Sequence, residues 1–322
     1  MKLKRIAAIW VAAVALMACS AGSGAGTQRA DAPQQRAASA ADSFSADTAY
    51  ALVVAQTAMG PRTPGSEGNA RCAEWMAARL RAAGADTVEM QRGTMQRWDG
   101  RELPVCNVLA SFNSAAPRRV LLVAHYDTRP WADNDLDPAN HTKPVPGAND
   151  GASGVGVLLE VARVLSLKGT DAGVDILFVD SEDYGTEGDD GSWALGARHF
   201  VQNPPAGYVP ARVILLDMVG GRGTSFRREM FSSMYAPVLL DDVWEAADAA
   251  GHSDIFTSLE GGAITDDHVE FIKAGIPAID IIALTDAGFP DTWHTINDNL
   301  EHIDSDILAA AGRTVLYYLG SR

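Results

Sequence analysis

The sequence predicts an α/β fold: a single domain with a central mixed, mostly parallel sheet flanked by helices. Three observations carry that expectation. After Arg119, short continuous apolar runs alternate with segments of helical period, the pattern of buried strands covered by helices on both faces. The 322 residues are 47% hydrophobic and 21% charged, an ordinary globular composition with enough length to bury a large core. Finally, the apolar runs end on histidines and carboxylates, at the positions where open α/β sheets bind ligands.

Taken in order, the chain opens on a basic stub (Lys2, Lys4, Arg5), an apolar run over 6–18, and Cys19. This is the layout of an export signal, and the run is shorter than the roughly 20 apolar residues a membrane helix needs. Leu16-Met17-Ala18-Cys19 resembles a lipoprotein signal with Cys19 as the lipidated residue, so the protein is expected in the cell envelope, facing the periplasm or on the outer membrane. Residues 19–43 are Ala, Gly, Ser, Gln and Arg without hydrophobic period, and are expected to form a flexible linker. The catalytic domain is then 44–322. Cys72 and Cys106 remain as a pair that an oxidising compartment permits to bond, or as two small buried hydrophobes.

Within the domain, Cys72, Trp75, Met76 and Leu80 give helical spacing over 66–83, with Gly84 placed to end the helix. Extended runs follow at 87–91 and 105–111. The alternating region then reads strand 120–124, helix 154–165, strand 174–179, helix 193–201 and strand 213–216. Helices at 237–250 and 267–274, each followed by glycine, precede a strand at 278–282 and a last helix at 305–319.

The chemistry collects at the strand ends. His125 and Asp127 follow the first central run, Asp180, Glu182 and Asp183 the second, and Asp217 the third. Asp150 lies in the glycine-rich turn Pro146-Gly147-Ala148-Asn149-Asp150-Gly151, and His294 in a loop after the last strand. Histidine combined with carboxylates suits zinc, which in catalytic sites keeps three protein ligands and an open position. With 26 basic against 41 acidic residues, a formal charge of −15, nucleic acid is excluded as a partner.

The segments His125-Tyr126-Asp127, Gly147-Ala148-Asn149-Asp150, Phe178-Val179-Asp180-Ser181-Glu182-Asp183, Leu216-Asp217-Met218-Val219-Gly220, Asp266-Asp267-His268 and Phe289-Pro290-Asp291-Thr292-Trp293-His294-Thr295 occur in this order. Together they resemble the zinc-dependent glutaminyl cyclases, in the bacterial branch similar to the animal enzymes, which share a fold with zinc aminopeptidases. The likeness runs from about Phe44 to the C-terminus. It implies one zinc (Zn2+) per chain on Asp150, Asp183 and His294, with Glu182 as general acid/base. Asp217 and Asp266 become a hydrogen-bonded acidic pair assisting proton movement, and Trp293 and Phe289 belong to the substrate pocket. Trp193 either lines that pocket or packs. One departure is the shorter Asp183 where the family usually has a glutamate ligand. The implied reaction is cyclisation of an N-terminal glutamine of peptides or exported proteins, by a monomer that touches the membrane only through its lipid anchor.

The main competing expectation is a two-zinc aminopeptidase, because His125, Asp150, Asp183, Asp217 and His294 supply five ligand positions and His125 would then serve a second metal. Another is a surface lipoprotein that only binds, against which an intact Glu182 argues. His141, His199, His252, His268 and His302 lack a comparable setting and are expected at the surface or behind the site. Asp133-Asn134-Asp135-Leu136-Asp137 reads as a solvated loop on the site's rim, since it lacks the later glycine and glutamate of a calcium loop. Gly220-Gly221-Arg222-Gly223 reads as a turn, without the Lys-Ser/Thr of a phosphate-binding loop.

Overall fold

Residues 27–321 are described by the structure, a computed structural model. The expected leader and Cys19 lie outside them. In chain order the elements are α1 (Thr27–Ala41), α2 (Ala46–Thr57), α3 (Glu67–Ala82), β1 (Thr87–Gln96), β2 (Glu102–Phe112), β3 (Arg119–His125), α4 (Ala152–Lys168), β4 (Gly173–Val179) and α5 (Leu195–Gln202). Then follow β5 (Arg212–Asp217), β6 (Phe226–Arg228), α6 (Met230–Tyr235), α7 (Pro237–Ala249), β7 (Phe256–Glu260), α8 (Asp267–Lys273), β8 (Ala278–Ile282) and α9 (Ser305–Gly320).

Six strands form the central sheet in the order β1-β2-β4-β3-β5-β8. The β1–β2 hairpin and its junction with β4 are antiparallel, whereas β4, β3, β5 and β8 run parallel. Every residue of β4 is buried, as a strand covered on both faces requires. One face packs on α2, α3, α4, α7 and α9 through a core that includes Met76, Leu80, Phe178 and Leu316. The other packs on α5 and α8 through Leu177, Phe200, Leu215 and Phe271. The expected mixed sheet between two helical layers is therefore present.

Topology fixes where the crevice lies. From β3 the chain crosses through α4 to β4 on one side, then returns through α5 to β5 on the other, so β3 is a switch point. His125 pairs with Val179 in register, and Val123 with Leu215. Asp217 therefore ends β5 level with His125, while Asp180, Glu182 and Asp183 emerge just beyond β4. Gly196, in the first turn of α5, makes the return possible: a Cβ there would stand 2.0 Å from the Asp180 carbonyl oxygen.

One expectation needs correction, and one alternative left open is resolved. The segment 19–43 is helical over Thr27–Ala41 rather than a flexible linker throughout. Ala37 and Ala41 are buried, and the Cα of Ala37 lies so near Gly320 that a Cβ on that glycine would approach it to 2.6 Å. Alanine is the best helix former, and its small side chain permits this contact without the large apolar period that announces a helix. The order thus begins before Phe44, whose ring packs on Gly312 of α9. Of the two cysteine readings, the free one holds: Cys72 and Cys106 are unbridged and buried, and burial pushes their thiols up to about 12 and about 11.

Arg62, wholly buried, ties the α2–α3 connection to the crevice. Its Nε donates to the Tyr126 carbonyl at 2.9 Å and its terminal nitrogens donate to those of Pro146 and Gly147. Its own N–H donates to Thr128 Oγ1. Arg62→Met should lower the unfolding free energy by about 3 kcal/mol or more, the scale for stripping a buried cation from its acceptors. Urea unfolding of the metal-free forms measures this, and a loss below about 1 kcal/mol would mean that those carbonyls find other donors.

Candidate active site

The site is assembled from four strand ends and two loops. Asp150 ends a turn anchored from below by Asp298, whose two carboxylate oxygens accept the backbone N–H groups of Asn149 (2.7 Å) and Asp150 (3.1 Å). Gly151 follows at φ 92°, and a Cβ there would stand 2.6 Å from the Asp127 carbonyl oxygen, so only glycine lets the turn enter α4. Asp127 plays the corresponding part for the β4 loop, accepting N–H from Glu182 (3.1 Å) and Asp183 (3.2 Å). Four residues other than glycine hold left-handed backbone here: Ser181, Ala194, Met218 and His294. Each is a site residue or adjoins one, as expected where packing forces side chains into a required direction.

The three expected zinc ligands meet. His294 Nε2 lies 3.0 Å from Asp183 Oδ1 and 3.8 Å from Asp150 Oδ2, and all three residues are buried. One ligand atom from each falls within 4.8 Å of the others. Asp183 Oδ2 is buried without a hydrogen-bond partner. One histidine and two carboxylates with an unpaired inward oxygen are a zinc-type donor set with room for a further ligand. Arg129 supports it from behind, its NH1 donating to the Asp183 carbonyl at 3.3 Å while its guanidinium pairs with Asp133.

His125 forms a second group that shares Asp150. Its Nε2 is 3.0 Å from Asp150 Oδ1 and 3.1 Å from Asp217 Oδ1, and its Nδ1 is 3.6 Å from Asp127 Oδ1. His125, Asp150 and Asp217 therefore also satisfy the spacing of a metal group, so both arrangements considered from the sequence have their residues in place.

Crowding of carboxylates sets the electrostatics. Burial, with Asp266, Asp183 and Asp267 close by and only His125 opposing, holds Glu182 well above the usual glutamate range. Asp217 is pushed up to about 7 by burial, with His125 pulling down and Asp266 pushing up. Asp266 is raised for the same reason, burial first. Asp150 goes the other way: although burial opposes it, His125, His294 and Arg129 keep its carboxyl below the ordinary value. The site thus holds Asp150 below and its neighbours above the ordinary carboxylate range, a spread suited to proton transfer.

A cavity of about 260 Å³ opens over these groups, lined by Glu182, Asp217, Asp266, Trp193, Phe289 and Trp293 together with the three ligand candidates. Trp293 stacks on His294 with centroids 3.7 Å apart, and Phe289 on Trp293 at 4.2 Å. Trp193 also lies parallel to the His294 ring, at 6.0 Å. Of its two readings, the lining one therefore describes its place, with Arg129 over its ring at 5.0 Å.

Several partners escaped the sequence reading. Arg129 and Asp298 stand just beyond recognised segments and Glu229 a little further on, but no local signal distinguishes them. His268 is fully buried, so of its two readings the place behind the site describes it. The 133–137 loop is on the rim, but Asp135 is buried, accepting N–H from Asp137 and Ile296 and the Asn140 amide. The 220–223 turn is confirmed, with the Gly220 N–H donating to Asn149 Oδ1.

Comparison with known proteins places this geometry. A family profile described as Peptidase family M28 matches residues 107–319. The glutaminyl cyclase of Porphyromonas gingivalis is 49% identical, covering 86% of this chain and 98% of its own, with a TM-score of 0.83. A leucine aminopeptidase precursor from Bacteroides thetaiotaomicron is 43% identical over 87% of this chain and 98% of its own, with a TM-score of 0.84. A bovine glutaminyl-peptide cyclotransferase-like protein is 26% identical over 80% of this chain and 71% of its own length.

His294→Ala should remove bound zinc and leave the far-ultraviolet circular dichroism unchanged, whereas Glu182→Gln should keep the metal. Elemental analysis decides it. Zinc retained without His294, or lost without the Glu182 carboxylate, would reverse the assignment of those roles.

Proposed function

The chain belongs to peptidase family M28, and on that footing we propose that it is a glutaminyl-peptide cyclotransferase, turning an N-terminal glutamine into pyroglutamate with release of ammonia. The observation that carries this reading is the wall of the cavity. Trp293, stacked on His294 and backed by Phe289, leaves only about 260 Å³ beside Glu182, a space suited to one compact side chain. Similarity of 43–49% to cyclases of Bacteroides thetaiotaomicron and Porphyromonas gingivalis, over nearly all of their length, supports it.

Asp150, Asp183 and His294 are the residues that would hold one zinc, which when bound supplies a Lewis acid for the side-chain carbonyl. The chain's own residues do the rest. Their walls bring the substrate's α-amine against its own γ-amide carbon, a step that depends on positioning more than on nucleophilicity. As the new C–N bond forms, Glu182 accepts a proton from the attacking nitrogen. It returns that proton to the departing amide nitrogen as the old C–N bond breaks, so ammonia leaves and no water is consumed. Asp217 and Asp266, both raised by burial, stand behind Glu182 as groups able to hold a shared proton. The indole and phenyl rings keep water from the carbonyl. The export signal read in residues 1–19 supports substrates met outside the cytoplasm, in the cell envelope.

The second arrangement, His125 with Asp150 and Asp217, favours a two-metal aminopeptidase as the competing reading, and one experiment separates them. Given Gln-Xaa peptides, the enzyme should release ammonia, leave the peptide bond intact and contain one zinc per chain. Peptides beginning with Leu, Ala or Asn should be untouched, because asparagine is one methylene too short to close the five-membered ring. Glu182→Gln should lower kcat by at least about 10²-fold, as expected for a lost general base. Free leucine appearing as fast as ammonia, or two tightly held zinc ions per active chain, would decide for the peptidase.

A further inference from the structure

A second polar chamber lies directly beneath Asp266, out of contact with the cavity. Glu229, fully buried, caps α6: its Oε1 accepts N–H from Phe231 (2.8 Å), and its Oε2 accepts the N–H (2.6 Å) and hydroxyl (2.7 Å) of Ser232. The same carboxylate reaches the cavity wall, because Oε1 also accepts the Ile264 N–H at 3.1 Å. Ser232 extends the link in the other direction, its Oγ accepting the Asp280 N–H of β8 at 3.0 Å. Glu229 thus fastens the two backbone segments between which Asp266 stands.

His268 completes the chamber. Its Nε2 lies 3.3 Å from Glu229 Oε2 and its Nδ1 3.8 Å from Asp280 Oδ2, all three side chains being fully buried. Neither Asp280 oxygen has a hydrogen-bond partner among the described residues, and one oxygen each of Asp280 and Asp266 lie with a His268 nitrogen within 4.8 Å of one another. Two carboxyls in contact can bond only if one keeps a proton. Burial, then Asp266, Asp217 and Glu229, hold Asp280 well above the usual aspartate range. Asp266 lines the cavity, whereas Glu229, His268 and Asp280 do not.

We propose that Glu229 and His268 are positioning residues for the reaction, acting through Asp280 to hold the Asp266 carboxyl in its place beside Glu182 and Asp217. The argument rests on geometry. Apolar side chains of similar volume would fill such a chamber at lower energetic cost than three ionisable groups, and every one of these groups connects to Asp266 or to the chain on either side of it. The proposal rests on the cyclase reading for the identity of the reaction, though not for the device itself. Displacement of a reacting group by about 1 Å is enough to lower a rate by about 10²-fold.

The test uses the zinc-loaded enzyme and Gln-Phe. E229Q, which keeps shape while removing charge, and H268Q, which removes the imidazole, should each lower kcat by about tenfold or more while KM stays within about twofold and zinc content is unchanged. The double variant should be no slower than the slower single, since both act through one carboxyl. Should either variant fail to fold, Ser232→Ala removes only the hydroxyl joining Glu229 to Asp280 and should give a smaller fall, about threefold, again in kcat alone. Variants with unchanged kcat and a lowered melting temperature would reduce the chamber to a structural feature and overturn the proposal. So would a rise in KM alone, the mark of a shifted wall. Ratios are read on whichever product the wild type releases, ammonia or free glutamine. A peptidase product therefore ends the cyclase reading while leaving the positioning device to be judged separately.

Discussion

Repulsion among carboxylates gathered away from water is the constraint on which this structure turns. Asp127, Asp150, Asp180, Asp183, Asp217, Asp266, Asp280 and Asp298 are all buried at or near the carboxyl ends of the parallel strands. Such a group cannot ionise together without cations or protons to offset it. Three devices share the load. Backbone N–H groups face Asp127 and Asp298. Imidazoles stand between pairs, as His125 does between Asp150 and Asp217. Burial favours the protonated form of others, Asp180 being pushed up to about 7 by burial and the nearby Asp127. A divalent cation at Asp150, Asp183 and His294 would offset the remaining imbalance.

The backbone is bent to serve that arrangement. Ser181 and Met218 adopt left-handed conformations beside Glu182 and Asp217, and His294 does so itself. A left-handed turn just after a strand redirects the next side chain from the sheet plane into the crevice, at an expense that rigid surroundings must absorb. Those surroundings are visible: Arg62 and Arg129, both buried, hold loops from three parts of the chain by their carbonyls.

One set of residues therefore serves two chemistries on paper, and the difference lies in the walls. The five metal-capable side chains are equally compatible with a water-activating site and with one that only polarises a carbonyl. What bears on the choice is the aromatic stack of Phe289, Trp293 and His294, which forms one wall of the cavity. Function here is decided by packing around a shared scaffold, as is general for folds that host many activities.

The sequence by itself determined the sheet-forming runs, the helices at 66–83, 154–165 and 305–319, and the identity of Asp150, Glu182, Asp183, Asp217, Asp266 and His294 as a group. Those features are local: apolar period, strand-end position and short motifs are written in adjacent residues. It missed α1, because alanine packing by close approach leaves no apolar period, and it left Cys72 and Cys106 undecided. Only the tertiary structure decided that Asp298 supports the Asp150 turn from 148 residues away along the chain, that His268 is buried against Glu229, and that Trp193 lies parallel to His294. The physical reason is the same in each case. These contacts join segments whose separation is fixed by sheet order and crossover, and hydrogen bonding and burial between them depend on three-dimensional distance, which a linear pattern of residue types does not contain.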